Sequence, residues 1–208
     1  MSSDTLTRLK IKIMRYINLT ILLVVLICSS CGQTGTKANS STDDKTQIIN
    51  LVKQVLKWHD KDNQLIGFGT ISNPKDSLIS GMDLKLIDKG LEKLVNTDYF
   101  DKEFINNYKM IIIKIDKRIK NKDWQWHDGE MPPYANADPW CNCQDTPYDN
   151  AWAKIDIKFV NIDKDKAELS WTWGNSDWSK NFKYEIKVKK VNGVWRISYM
   201  QGFNIKNY

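Results

Sequence analysis

The chain has 208 residues and a formal charge of +6. Four of the basic residues, Arg8, Lys10, Lys12 and Arg15, stand with one acid, Asp4, in residues 1–30, and the signs are interspersed over the rest. That excludes the dense basic face of a nucleic-acid binder, so no nucleic acid is expected as a partner, and the length suits one domain with a real core.

The four basic residues precede an apolar run. From Ile17 to Ile27 only Asn18 and Thr20 are polar, and the run is 11 residues long. A membrane-spanning helix needs about 20, whereas the apolar part of a secretory signal is shorter. "CSSCG" follows at once, with Ser29 and Ser30 before Cys31 and Gly32 after it. This resembles the lipobox of bacterial lipoproteins. The resemblance implies a signal peptide over residues 1–30, cleavage before Cys31, and a diacylglycerol on its sulfur. Cys28 fits that role less well, because Ile27 would stand where a small side chain is wanted. The alternative is an uncleaved anchor helix with the same orientation. Met14 offers a second start, since "MRYINLTILLVVLICSSC" is by itself a compact lipoprotein signal. Two or more acyl chains would hold the protein firmly on a membrane, where one is marginal. The expected location is the bacterial cell envelope, lipid-anchored and facing the periplasm or the cell surface. The membrane is then a partner through the lipid on Cys31.

Residues 31–46 are small and polar without apolar period and read as a flexible tether. Residues 47–208 read as a single α+β domain. In "DDKTQIINLVKQVLKWHDK" Ile48, Leu51, Val52, Val55, Leu56 and His59 form one stripe, and Asp43 and Asp44 are candidate caps. Gly, Asn and Pro break up the next segment, with a short strand expected at Leu65 to Phe68. "SLISGMDLKLIDKGLEKLVN" suggests short helices, with Asp83 as an N-cap and Leu84, Ile87, Leu91 and Leu94 facing inward. A longer helix follows, its stripe made by Phe100, Phe104, Tyr108, Ile111, Ile112 and Ile115; Met110 to Ile113 could equally be a strand.

Residues 123–150 form a long irregular segment that is rich in Pro and Trp and holds His127, Cys141 and Cys143. Loops of this length are usually functional or disordered, and aromatic content argues against disorder.

The last third alternates. Ala151, Ala153, Ile155, Ile157 and Phe159 share one face, as do Ala167, Leu169, Trp171 and Trp173. Phe182, Tyr184, Ile186 and Val188 form the next set, and Trp195, Ile197 and Tyr199 the last. Asn192-Gly193 is a strong two-residue hairpin signal. Four such strands make an antiparallel meander with one apolar face, which the helices upstream would cover.

Helices first, then a meander closing on "NGVWRISYM", resembles the nuclear-transport-factor-two-like (cystatin-like) superfamily. That likeness implies N-terminal helices packed on a curved four-stranded sheet, a cone-shaped fold that often leaves a pocket. "LIS" at 78–80, "ADPWCNCQD" at 137–145 and "VWRI", together with the lipobox, resemble the YbjP/YqhG-type lipoprotein domains, a family of unknown function within that superfamily. The two cysteines and "GEMPPYANA" depart from it, and the family carries over no chemistry.

With Cys28 removed and Cys31 lipidated, Cys141 and Cys143 are the one possible intramolecular pair. An exported chain meets an oxidising compartment. A disulfide would need a turn at Asn142, and two partly buried thiols are the alternative. One intervening residue is poor spacing for zinc, and no Cys-x-x-Cys appears for redox work. No metal and no cofactor are expected. His127 with Asp128 or Asp145 could form an acid–base pair. His59, near a helix end, is explained by the helix dipole. Trp171, Trp173 and Trp195 have core parity. Trp124, Trp126, Tyr134, Trp140, Tyr148 and Trp178 fall in loops or turns and are candidate ligand-binding aromatics. The expected function is an exported, lipid-anchored binding domain without catalysis, its ligand a small molecule, a glycan or a protein. One alternative is an immunity or inhibitor lipoprotein acting on a toxin or envelope enzyme. Another is a small hydrolase, lyase or isomerase built on His127.

Overall fold

The structure, a computed structural model, describes residues 39–61, 69–146, 149–174 and 181–208. The lipobox with Cys31, the strand expected at Leu65 to Phe68, and the candidates Tyr148 and Trp178 lie outside the described residues.

The first helix, α1 (Asn39–Lys61), buries Ile48, Leu51, Val52, Val55, Leu56 and His59 along one side. It starts earlier than the apolar period predicts, so residues 39–46, expected in the tether, are helical. Asp43 and Asp44 therefore lie inside the helix and do not cap it. The cause is polar and long-range: the Asp44 carboxylate accepts from Lys190 Nζ at 2.5 Å and Trp195 Nε1 at 2.9 Å. The ammonium of Lys190 holds that acid below the usual carboxylate range.

Strand β1 (Thr70–Ser72), in the segment expected as loop, and β2 (Ile79–Met82), where short helices were expected, form a small antiparallel hairpin. Ile79 and Met82 are buried, and the Met82 N–H donates to Asp116 Oδ1 at 3.0 Å. Asp83 caps α2 (Leu84–Asn96), its carboxylate accepting from the N–H groups of Lys85 and Leu86. α2 buries Ile87 and Leu94 and half-buries Leu91, but Leu84, expected inward, is exposed: spacing fixes the side of the helix a residue is on, not how far along it the core reaches. Asp101 caps α3 (Lys102–Lys120), which runs through Met110 to Ile113 as helix and buries Phe104, Tyr108, Ile111, Ile112, Ile115 and Ile119.

The segment expected as the first strand opens with a short helix, α4 (Ala151–Lys154), before β3 (Asp156–Ile162). β3, β4 (Lys166–Thr172), β5 (Tyr184–Val191) and β6 (Val194–Met200) pair antiparallel in chain order, so the fold class is α+β. Both residues of the Asn192-Gly193 turn have positive φ, 52° and 82°, as a type I′ hairpin requires. The pairing slips between Lys187 and Val188, which face Tyr199 and Ile197. Ser198 is the extra residue of this bulge. Tyr199, expected inward, thus pairs beside Lys187, and Met200 takes the buried place. Outside the sheet, the free edge of β6 is capped by Tyr99 and Asp101. Ile197 donates to Tyr99 O at 2.8 Å and Asp101 donates to Ile197 O at 2.9 Å. That removes backbone groups another chain could otherwise pair with.

Residues Asp43–Tyr208 form one compact unit. α3 packs against β2 and β6. Among the described residues, two of the aromatic clusters in the core are large. One gathers Trp152, Trp171, Trp173 and Phe182; the other gathers Trp58, Phe100, Phe104, Trp140 and Phe203.

Candidate functional site

"DPWCNC", residues 138 to 143, makes a turn closed on Asp138. Cys141 and Cys143 are joined as a disulfide with their Cα atoms 5.1 Å apart. Asn142 takes a left-handed conformation, φ 52°, one that Asn adopts more readily than most residues. Its N–H donates to Asp138 O at 2.6 Å, and the Asp138 N–H donates to Cys143 O at 2.9 Å. Both backbone groups of Asp138 are therefore tied within the ring of the turn.

The next residues anchor the turn to the core. Trp140 is fully buried. Its indole lies edge-on to Phe203 at 4.9 Å, Trp58 at 5.7 Å and Phe100 at 5.7 Å, and stacks on the His59 imidazole at 5.1 Å. The Pro139 carbonyl accepts from Tyr184 Oη at 2.6 Å, and that oxygen accepts from the Gly202 N–H at 3.1 Å. Burial pushes the Tyr184 phenol well above its ordinary range, so it stays a donor. Gly202, in the 3₁₀ turn Gln201–Phe203, passes so close to Pro139 that a Cβ there would stand 1.8 Å from its carbonyl oxygen.

These fastenings fix one carboxylate. Asp138 Oδ1 accepts from the Trp140 N–H at 2.9 Å, and Oδ2 bonds His59 Nε2 at 2.7 Å. The His59 side chain is 6% exposed and that of Asp138 36%. His59 Nδ1 is buried and has no partner. Asp138 thus faces outward while its histidine stays in the wall. Beside it lies a cavity of about 600 Å³ bordered by His59, Met131, residues 135–139 and Gln144.

Most of the residues singled out from the sequence lie elsewhere. His127 is exposed, its Nδ1 2.8 Å from Asp76 O and 3.3 Å from Ser77 Oγ. Asp128 is exposed and accepts from Ser72 Oγ at 3.5 Å; Asp145 is exposed as well. None of the three borders the cavity, so the acid–base pair held as an alternative is not part of this site: neighbours in an irregular loop need not converge on a cavity. Trp126 and Trp140, expected to face a ligand, are buried instead because their indoles fill core space. Trp124 is half-buried, with Arg118 stacked over it at 3.7 Å, and Tyr134 packs on both Trp124 and Trp126. Burial raises the Tyr134 phenol to about 12. With their sulfurs joined, Cys141 and Cys143 offer no thiolate, and among the described residues no three His, Cys, Asp or Glu gather at one point.

His59 and Asp138 meet across 79 residues, a pairing that no local pattern announces. The available signals were that His59 sits on the buried stripe of α1 and that Asp138 precedes the Cys-x-Cys turn.

No family model and no curated protein matches the chain. Among solved structures it is similar to a crystal structure of a protein of unknown function from Bacteroides thetaiotaomicron VPI-5482. That likeness has 18% identity and a TM-score of 0.36, and covers 79% of this chain and 98% of the other. At that TM-score it carries nothing over to this chain.

Proposed function

We propose that this chain is an exported, lipid-anchored binding domain, and that its ligand occupies the cavity beside Asp138. The observation that carries this reading is the way the site is built. The carboxylate is held by Trp140 and His59, and the turn beneath it by the disulfide, Tyr184 and the close approach of Gly202. A preorganised polar group on a concave wall is what small-molecule sites share. Binding is favoured over acid–base catalysis because a base must come within hydrogen-bond reach of the proton it takes. Here one imidazole nitrogen is committed to Asp138 and the other is covered. The inhibitor alternative needs an exposed aromatic loop, and the burial of Trp126 and Trp140 speaks against it.

The anchor rests on the run Ile17 to Ile27 followed by Ser29, Ser30 and Cys31. Palmitate labelling should be lost in Cys31→Ser and kept in Cys28→Ser; labelling that survives Cys31→Ser refutes the anchor. The cone-shaped architecture of the nuclear-transport-factor-two-like superfamily belongs to the same proposal. It is supported by a four-stranded meander that follows the helices in the chain.

The cavity is tested by titrating a library of small polar molecules into the ¹⁵N-labelled full chain in detergent. Saturable shifts are expected at the amides of residues 135–138 and Gln144. A library that moves none of them overturns the binding reading.

A further inference from the structure

We infer that the cavity beside Asp138 selects an organic cation, an alkylammonium or guanidinium compound, an assignment that rests on the binding function proposed above. Among the described residues bordering the cavity, Asp138 is the one acid and there is no Lys or Arg. Its carboxylate brings the one anionic group to this wall; Oδ1 accepts from the Trp140 N–H and Oδ2 is bonded to His59 Nε2, and neither bond comes from a Lys or Arg. A carboxylate has about four lone-pair positions, so further donors can be received on the side facing the cavity.

That charge repels anions and gives neutral ligands a weaker contact than an ammonium or guanidinium group, whose hydrogen bonds are charge-assisted. The rest of the wall decides between a bare metal ion and an organic cation. Asp138 is joined by Ala135, Ala137, Pro139 and the largely exposed thioether of Met131. One carboxylate does not make a metal cage; no second acid is among the described residues that border the cavity, and among the described residues no three His, Cys, Asp or Glu gather at one point. Methyl groups, a proline ring and a thioether are surfaces for a carbon skeleton. The cavity, about 600 Å³, lies in the range of small-molecule sites and far exceeds a solvated ion.

The experiment uses three probes of matched size, butylammonium, butanol and butyrate, titrated into the ¹⁵N-labelled full chain in detergent. Butylammonium should shift the amides of Ala135, Ala137 and Gln144 saturably, while butyrate leaves them in place and butanol binds more weakly. Asp138→Asn should weaken butylammonium by about ten- to a hundredfold. Ala135→Trp, which fills the cavity and leaves the carboxylate intact, should abolish the shifts, and it keeps the test open if Asp138→Asn misfolds. Butanol or butyrate binding as tightly as the amine overturns the cation assignment and leaves the binding domain standing. So does a library whose saturating members are anions or neutral compounds only. Amine binding unchanged in Asp138→Asn or in Ala135→Trp overturns the site. If neither the probes nor any library member moves these amides, the cation assignment falls together with the binding reading.

Discussion

Replacing Gly202 by alanine would put a Cβ 1.8 Å from the Pro139 carbonyl oxygen, where real contacts keep at least 3.0 Å. The obstacle is backbone, so no side chain can swing away. Gly202 is not in the left-handed region, which leaves the close approach as the cause of any effect. Relief requires the turn at Pro139 and the strand end to part by more than about 1 Å. Tyr184 Oη then cannot hold both its bonds, 2.6 Å to Pro139 O and 3.1 Å from the Gly202 N–H. Two hydrogen bonds at about 1 kcal/mol each and about 1–3 kcal/mol of overpacking give a loss of about 3–5 kcal/mol. Urea denaturation followed by far-UV circular dichroism should show the midpoint falling by about 2 M, for a slope near 2 kcal/mol/M. Gly193→Ala is the control. It meets no atom within 4 Å but carries a φ of 82°, so its loss should be only about 1–2 kcal/mol. A loss below about 1 kcal/mol for Gly202→Ala, or one no larger than for Gly193→Ala, would refute the tight seat assigned to Pro139.

Trp140→Ala should lose about 3–5 kcal/mol in the same assay; a loss under 1 kcal/mol would show that the indole does not plug the core. Asp44→Asn should cost about 1–3 kcal/mol at pH 7, where the carboxylate bonds Lys190 and Trp195. The folded-state pKa of Asp44 lies below its ordinary 3.8, so its contribution is full above that pH and fades as pH falls through the lower, folded value. Wild type and Asp44→Asn should converge in strong acid, and a gap that widens there counts against the pairing. Cys141→Ser with Cys143→Ser closes no long loop and should lose only about 1–2 kcal/mol, less than Trp140→Ala, while shifting the Asp138 amide. A larger loss than for Trp140→Ala would make the disulfide, not the indole, the main fastening.

Alternation and spacing made the sheet and the buried side of α3 legible, because each is a repeat of one residue type over one short window. Asn192-Gly193 announced its hairpin for the same reason, its φ values being open to those two residues and to few others. The bulge that turns Tyr199 away from the core is a property of two strands together and shows in neither alone. The early start of α1 was hidden because "NSSTDDKT" has no apolar period; its anchor is an acid that meets Lys190 146 residues away. The site failed to show for the same reason. His127 and Asp128 drew attention by being adjacent, whereas His59 and Asp138 are joined only by folding. Tryptophan in a proline-rich loop is ambiguous between ligand contact and core, and at Trp140 the packing of Phe100, Phe104 and Phe203 decided it.

The fastenings of Asp138 and Pro139 reach very different distances along the chain: 79 residues to His59, 45 to Tyr184, and 18 more from Tyr184 to Gly202. Contacts so far apart close late, since loop-closure entropy opposes them until the intervening elements are in place. In a chain that folds from its N-terminus as it is made, the helices and the first three strands can form before Gly202 has been added. The seat of Pro139 beside the cavity is then secured only once Gly202 has been added. A chain cut before Gly202 lacks that fastening, so the wall that carries Asp138 is set by a residue far from it in the chain.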